Sequence, residues 1–198
     1  TLTAHLAVAF ARDGKSVAVL DTDQQGSLGE WFEAREQRLG EENAGLEFRT
    51  ASGWGARREA RSLIRDYDIV MIDTPPKSDL ELRPAIEVAS LLLVPIQPTP
   101  VDLWATEPTL ELAGKERVDA LLVVNRALKR ATLTTEMLEA IGKLGHRVAD
   151  TKLGSRVAFA ASMGDGRTVV ETAPSSVAAR EVTALAEEIL KTADQLAD

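Results

Sequence analysis

Four short apolar runs, SVAVLD, DIVMID, SLLLVPI and VDALLVVNR, constrain the fold of this 198-residue chain more than any other feature. Each is too short for a helix buried on all sides. Each is also too continuously apolar for a strand with one wet face, so the runs read as strands covered on both faces. The segments between them carry apolar residues at three-to-four spacing. TLTAHLAVAFARDG sets Leu2, Leu6, Ala9 and Phe10 on one stripe and stops at Gly14, and SLGEWFEAREQRL does the same with Leu28, Trp31, Phe32 and Arg35. WGARREARSLIRDY, LELRPAIEVA and LTTEMLEAIGKLG read as further helices, and LWATEPTLELAG as a helix interrupted or started at Pro108. LEFRTA and HRVADTKL read as short strands, SRVAFAASMG as a short helix, and SSVAAREVTALAEEILKTADQLA as a long terminal one. Alternating helices and buried strands define an α/β protein, a doubly wound, mostly parallel sheet with helices on both faces. No repeat or linker interrupts the pattern, so residues 1–198 are expected to form a single domain.

Composition narrows the chemistry. The chain has no cysteine, which excludes disulfides and thiolate metal sites, and only His5 and His146, too far apart in sequence to suggest a histidine metal centre. A formal charge of −8 argues against a surface that coats nucleic acid throughout, while leaving room for a local basic patch. No apolar run approaches the roughly 20 residues of a membrane span, and the start lacks a signal-peptide pattern, so a cytoplasmic protein is expected.

In doubly wound sheets, ligands sit at the carboxyl ends of the strands, so the polar residues ending each run are the ones to weigh. DIVMIDTPP ends in Asp73, placed as an acidic group would be to hold a Mg²⁺-bound water beside nucleotide phosphates; a helix-capping aspartate has the same pattern. VLDTDQQG ends in Asp21 and Asp23, which point to one side if the strand persists; Asp23 as the cap of the next helix is the alternative. LLVVNR ends in Asn125, whose amide suits a nucleobase edge or simply turns the chain. PIQPTPVD supplies a stiff loop at Pro98, Thr99 and Pro100. No GxxxxGK[S/T] phosphate cradle occurs, and the glycines of MGDGR follow no apolar strand.

In combination, TLTAHLAVAFARDGKSVAVLDTDQQGSL, YDIVMIDTPP, LLLVPIQPTPVDLWA and LLVVNR resemble, in order and spacing, the ParA/MinD family of deviant Walker A ATPases, with the short plasmid-partition ParA (ParF-like) branch nearest. The resemblance implies a P-loop NTPase fold whose first strand and KGGxGKT loop would stand ahead of Thr1. It implies ATP or ADP and Mg²⁺ as ligands. Thr1 is similar to the hydroxyl residue at the α-phosphate, and Asp23 to the aspartate that orients the attacking water. Asp21 resembles an outer supporter of Mg²⁺, and Asp73 the residue holding a metal-bound water. Asn125, Pro98, Thr99 and Pro100 match positions beside the base. Gln24 stands where the family carries proline, which puts the turn and the hydrolysis rate in doubt.

The resemblance further implies an ATP-dependent homodimer, nonspecific DNA binding with nucleoid association, a ParB-like activating partner and a role in segregating plasmid, chromosome or other cargo. Arg126, Lys129, Arg130, Arg156 and Arg167 are the candidate DNA contacts. The acidic tail lacks the basic face of a membrane-anchoring helix, so no membrane partner is expected. Hydrolysis by a chain without the phosphate loop is expected to be weak or absent. Two other readings stand beside this one: an ATP-dependent ligase similar to dethiobiotin synthetase, and an interaction module that needs no nucleotide.

Overall fold

The computed structural model describes residues 1–23, 25–52, 54–75, 79–128 and 132–197. They fall into two compact units, Thr1–Val88 with Val157–Thr183, and Ala89–Arg156 with Ala184–Asp198.

The first unit is built on a parallel three-stranded sheet, β1 (Val17–Asp21), β2 (Glu47–Thr50) and β3 (Ile69–Asp73), in the order β2-β1-β3. The helices are α1 (Leu2–Arg12), α2 (Ser27–Leu39), α3 (Trp54–Leu63) and α4 (Asp79–Ile86). All five residues of β1 are buried, as an uninterrupted apolar run between two layers requires. Ala18 and Leu20 pack with Ala60 and Leu63 of α3, so alternation turns Val17 and Val19 to the other face. Helix α1 is buried on every side from Ala4 to Phe10 instead of along one stripe, with Leu2 only half-buried, so the amphipathic expectation is not met; past its last residue, Arg12, Gly14 takes a φ of +85° and supplies the left-handed turn.

Three later helices complete the two units: α7 (Val157–Met163), α8 (Val169–Thr172) and α9 (Val177–Ala197), of which α9 contributes its first residues to this unit. The MGDGR segment between α7 and α8 is a clasp on α2. Gly166 takes φ +66° and lies so close that a Cβ there would stand 2.3 Å from the Arg35 nitrogen. The Arg35 guanidinium is buried. It donates to the carbonyls of Ala44 (2.7 Å) and Gly166 (3.2 Å) and grips both carboxylate oxygens of Glu171 at 2.8 and 3.0 Å. Trp31 Nε1 adds a bond to the Arg167 carbonyl at 3.3 Å. Glu171 also closes a capping box with Thr168. Burial pushes the Glu171 carboxyl up, but Arg35 and the Thr168 N–H outweigh it and hold the group below its ordinary range.

The second unit carries β4 (Leu92–Ile96), β5 (Ala120–Val124) and β6 (Arg147–Val148), again all parallel, in the order β4-β5-β6. Helices α5 (Pro100–Glu116) and α6 (Thr132–Gly142) supply the crossovers. Val94, Ile96, Leu122 and Val124 form its core with Leu110 and Ala113 of α5 and Ile141 of α6. Helix α5 departs from the sequence expectation: it starts at Pro100 and runs through Pro108 without a break. Pro100 occupies the first turn, where a missing N–H costs nothing, and Thr99 caps the helix by accepting the Asp102 N–H at 3.2 Å. That nucleation carries the chain past the single bond lost at Pro108. Among the described residues, no helix is long and apolar enough to cross a membrane.

Candidate functional site

In the first unit, β1 and β3 run parallel and in register, so their last residues, Asp21 and Asp73, lie side by side at the carboxyl edge of the sheet. Apolar runs place these carboxylates where charge is costly, and each has to find its own compensation. Asp73 accepts a hydrogen bond at Oδ1 from the Thr3 hydroxyl of α1. Its carbonyl receives both the N–H (2.9 Å) and the hydroxyl (2.7 Å) of Thr22. Asp21 is 2% exposed and satisfied on one side only. Its Oδ1 accepts the Asp23 N–H at 3.0 Å, while its Oδ2 is buried and accepts no hydrogen bond from the described residues. Burial pushes the Asp21 carboxyl above its ordinary range. The Asp23 N–H and, to a smaller extent, the Gly29 N–H oppose that, and the neighbouring charges of Asp73 and Asp23 add to it.

The strand does not persist to Asp23, contrary to one reading of the sequence: β1 ends at Asp21, the Thr22 N–H makes the last ladder bond, to the Asp73 carbonyl, and the chain then turns at Asp23. Asp23 reaches the same corner by a different route. Its Oδ1 accepts the Gln25 N–H at 3.0 Å and its carbonyl the Gly26 N–H at 3.1 Å, forming a tight turn before α2. The N-cap of α2 is Gly26, at φ +67°, so Asp23 is not the cap. Nor does Asp73 sit at the start of α4, which begins at Asp79. Gln24 lies outside the described residues.

Thr1 occupies the exposed N-cap position of α1, its carbonyl receiving the His5 N–H at 3.3 Å and its side chain making no capping bond. Thr3 and Thr22 were not singled out from the sequence. A threonine two residues into a helix carries no signal until the helix is set against the sheet, whereas Thr22, between two aspartates, could have been suspected.

In the second unit, Asn125 directly follows β5, and its N–H bonds the Ile96 carbonyl at 2.9 Å. That bond sets Asn125 beside the loop through Pro98, Thr99 and Pro100. The loop is braced by Gln97 N–H donating to Asp102 Oδ2 at 2.8 Å. Asn125 Oδ1 accepts the Arg126 N–H at 2.9 Å, and Arg126 adopts a left-handed φ of +52°. Asn125, Pro98, Thr99 and Pro100 therefore belong to one edge of the second sheet, with Arg126 next in the chain, whereas Thr1 belongs to the first unit. Arg156 packs its guanidinium against Gly154. In the first unit Arg167 pairs with Asp165 at 2.6 Å, holding that carboxyl below its ordinary range. Lys129 and Arg130 lie outside the described residues.

Among the described residues, no three His, Asp or Glu side chains are grouped to ligate a metal directly. The orphaned Asp21 Oδ2 beside Asp73 instead fits a donor brought in from outside, such as a water held by a cation. Parallel sheets flanked by helices, with polar residues at adjoining strand ends, define a protein of the α/β class that holds its ligands at the carboxyl ends of the strands. The family comparison specifies which: residues 1–196 match the model of the CobQ/CobB/MinD/ParA nucleotide binding domain, and the chain belongs to that family. It is 24% identical over 197 residues to the maintenance of carboxysome distribution protein A of Halothiobacillus neapolitanus, covering 96% of this chain and 89% of that protein. It is 28% identical over 223 residues to the chromosome-partitioning ATPase Soj of Thermus thermophilus, with the same coverage, 96% and 89%. The septum site-determining protein MinD of Pyrococcus horikoshii, solved with Mg-ADP, shares the fold at a TM-score of 0.70. It is 17% identical, with 98% of this chain and 91% of that one covered.

Proposed function

We propose that this chain is the ATPase domain of a partition or positioning protein: it binds ATP with Mg²⁺, hydrolyses it slowly and cycles between a monomer and an ATP-bound homodimer. The observation that carries the reading is the pairing of Asp21 and Asp73 at adjoining strand ends, with one buried carboxylate oxygen left without a partner among the described residues. Relatives named for carboxysome distribution and chromosome partitioning support the positioning role. The Mg-ADP complex of a structural neighbour supports the nucleotide.

In this reading Asp73 would hold a Mg²⁺-bound water and Asp21 would support it from outside the metal's own ligands; Mg²⁺, when bound, would neutralise charge on the phosphate oxygens. Asp23 orients the attacking water in line with the γ-phosphate; its Oδ1 is already engaged by the Gln25 N–H, so the carboxylate is held rather than free to rotate. Thr3 fixes the rotamer of Asp73. Thr1 contacts the phosphates from the N-terminus of α1, where the helix dipole favours anions. Asn125 reads the base edge, with Pro98, Thr99 and Pro100 as the wall beside it.

The ATP-bound form binds DNA without sequence preference, is stimulated by a ParB-like partner and distributes a cargo. Residues 1–198 contain no GxxxxGK[S/T], so these residues alone turn ATP over weakly. The test is phosphate release by the full-length gene product with and without Mg²⁺, wild type against Asp23→Ala. Expected is a Mg²⁺-dependent rate that drops about 100-fold in the variant with ATP affinity retained. Equal rates, or turnover only with a small carboxylate acceptor, would contradict the reading.

A further inference from the structure

Helix α3 presents a surface that the strand-end chemistry does not use. Trp54 opens the helix and is 93% exposed. Behind it Arg57, Arg58, Arg61 and Arg65 line an open depression of about 470 Å³ along the same helix and the turn that follows. Only Arg57 is ion-paired, to Glu87 at 2.9 Å; Arg58, Arg61 and Arg65 have no ion pair among the described residues. The one acidic residue within the helix, Glu59, is already taken by Arg49. In a chain of net charge −8, an unneutralised arginine row beside a bare indole is not the average surface. The helical face toward the sheet is filled by Ala56, Ala60 and Leu63, so the arginines are not needed for packing.

We infer that α3 is the docking face for a DNA strand, its arginines on the phosphates and Trp54 against a base or sugar. Arginines four residues apart are about 6 Å apart along the helix axis, which gives a row of planar donors that can meet successive phosphates. Guanidinium forks bond phosphate oxygens in pairs, and an exposed aromatic adds stacking that is indifferent to sequence. The inference rests on the proposed engagement of DNA and gives it a surface, one that requires no side chain from the second unit.

The test is fluorescence anisotropy of a short labelled duplex and of the matching single strand, with the full-length gene product, with and without ATP and across a salt series. Wild type is compared with Arg58→Gln/Arg61→Gln/Arg65→Gln and with Trp54→Ala; circular dichroism checks that these exposed replacements leave the fold intact. The triple variant is expected to bind at least about tenfold more weakly and to lower the slope of log K against log salt by about 2–3, near 0.9 for each phosphate lost. Trp54→Ala is expected to lose about tenfold with the slope unchanged. DNA binding of undiminished strength and slope in the triple variant would overturn the inference while the DNA reading stands. No DNA binding by wild type in either nucleotide state would overturn both. A polyglutamate peptide that binds through the same arginines where DNA does not would overturn the inference in favour of an acidic protein partner.

Discussion

Two regions of the first unit each bury a carboxylate, and they treat it in opposite ways. In the clasp on α2, Glu171 is met by the Arg35 guanidinium and the Thr168 N–H, and its carboxyl is held below the ordinary range. At the end of β1, Asp21 is more deeply hidden, yet one of its oxygens meets no donor among the described residues, two like charges stand beside it, and its carboxyl is pushed up. The difference separates a charge kept for the fold from a charge kept for a ligand. Buried ionic groups that complete their hydrogen bonds inside the chain fix geometry, whereas one that stays incomplete is strained until something binds.

The comparison can be broken most severely on the clasp side. Gly166→Val has to place a side chain against the α2 backbone and adopt a φ that L-residues avoid. A loss of about 4 kcal/mol or more is expected in urea unfolding, or failure to fold. Arg35→Met leaves Glu171 buried without its cation and is expected to cost about 3–5 kcal/mol by the same measurement. On the other side, Asp21→Asn removes a disfavoured charge while its Oδ1 can still accept the Asp23 N–H. The nucleotide-free protein is expected to gain about 2–4 °C in Tm while Mg²⁺-dependent phosphate release falls.

The effect that vanishes at neutral pH comes from His5, a third buried group. Its Nδ1 accepts the Val169 N–H at 3.4 Å, its Nε2 meets no hydrogen-bond partner at close distance among the described residues, and burial, outweighing the raising effect of the Phe159 backbone, brings its pKa down to about 4. Between about 4 and 6.5 the unfolded chain therefore binds a proton that the folded chain refuses. Stability falls as pH drops through that window. Chemical denaturation at successive pH values should show the slope in wild type and a flatter profile in His5→Leu.

The strands were legible because an apolar run of four or five residues allows little else, and their polar ends marked Asp21, Asp73 and Asn125 before any geometry was known. The α5 start at Pro100 was less legible, since a proline signals a break or a first turn equally until its neighbours are placed. Asp23 as a site residue and Asp23 as a helix cap could not be separated by spacing alone; the choice depended on the turn its carboxylate and carbonyl make with the Gln25 and Gly26 N–H groups. Thr3, Arg35 and Gly166 act through partners about 70 to 136 residues away in the chain, and no local pattern encodes such pairings. The α3 arginines carried no signal in the sequence, because the sequence does not show which charges find partners.

The most direct measurement is a thermal-shift titration of the full-length gene product with ATP and Mg²⁺, run on wild type, Asp21→Asn and Glu171→Gln. Wild type at saturating ligand should gain about 5–10 °C. Asp21→Asn should start at or above the wild-type Tm and lose more than half of that gain. Glu171→Gln should start roughly 6–20 °C lower and keep it. The reverse pattern, with Asp21→Asn lowering the starting Tm but retaining the ligand shift, would make the strand-end carboxylate a structural residue and contradict the account.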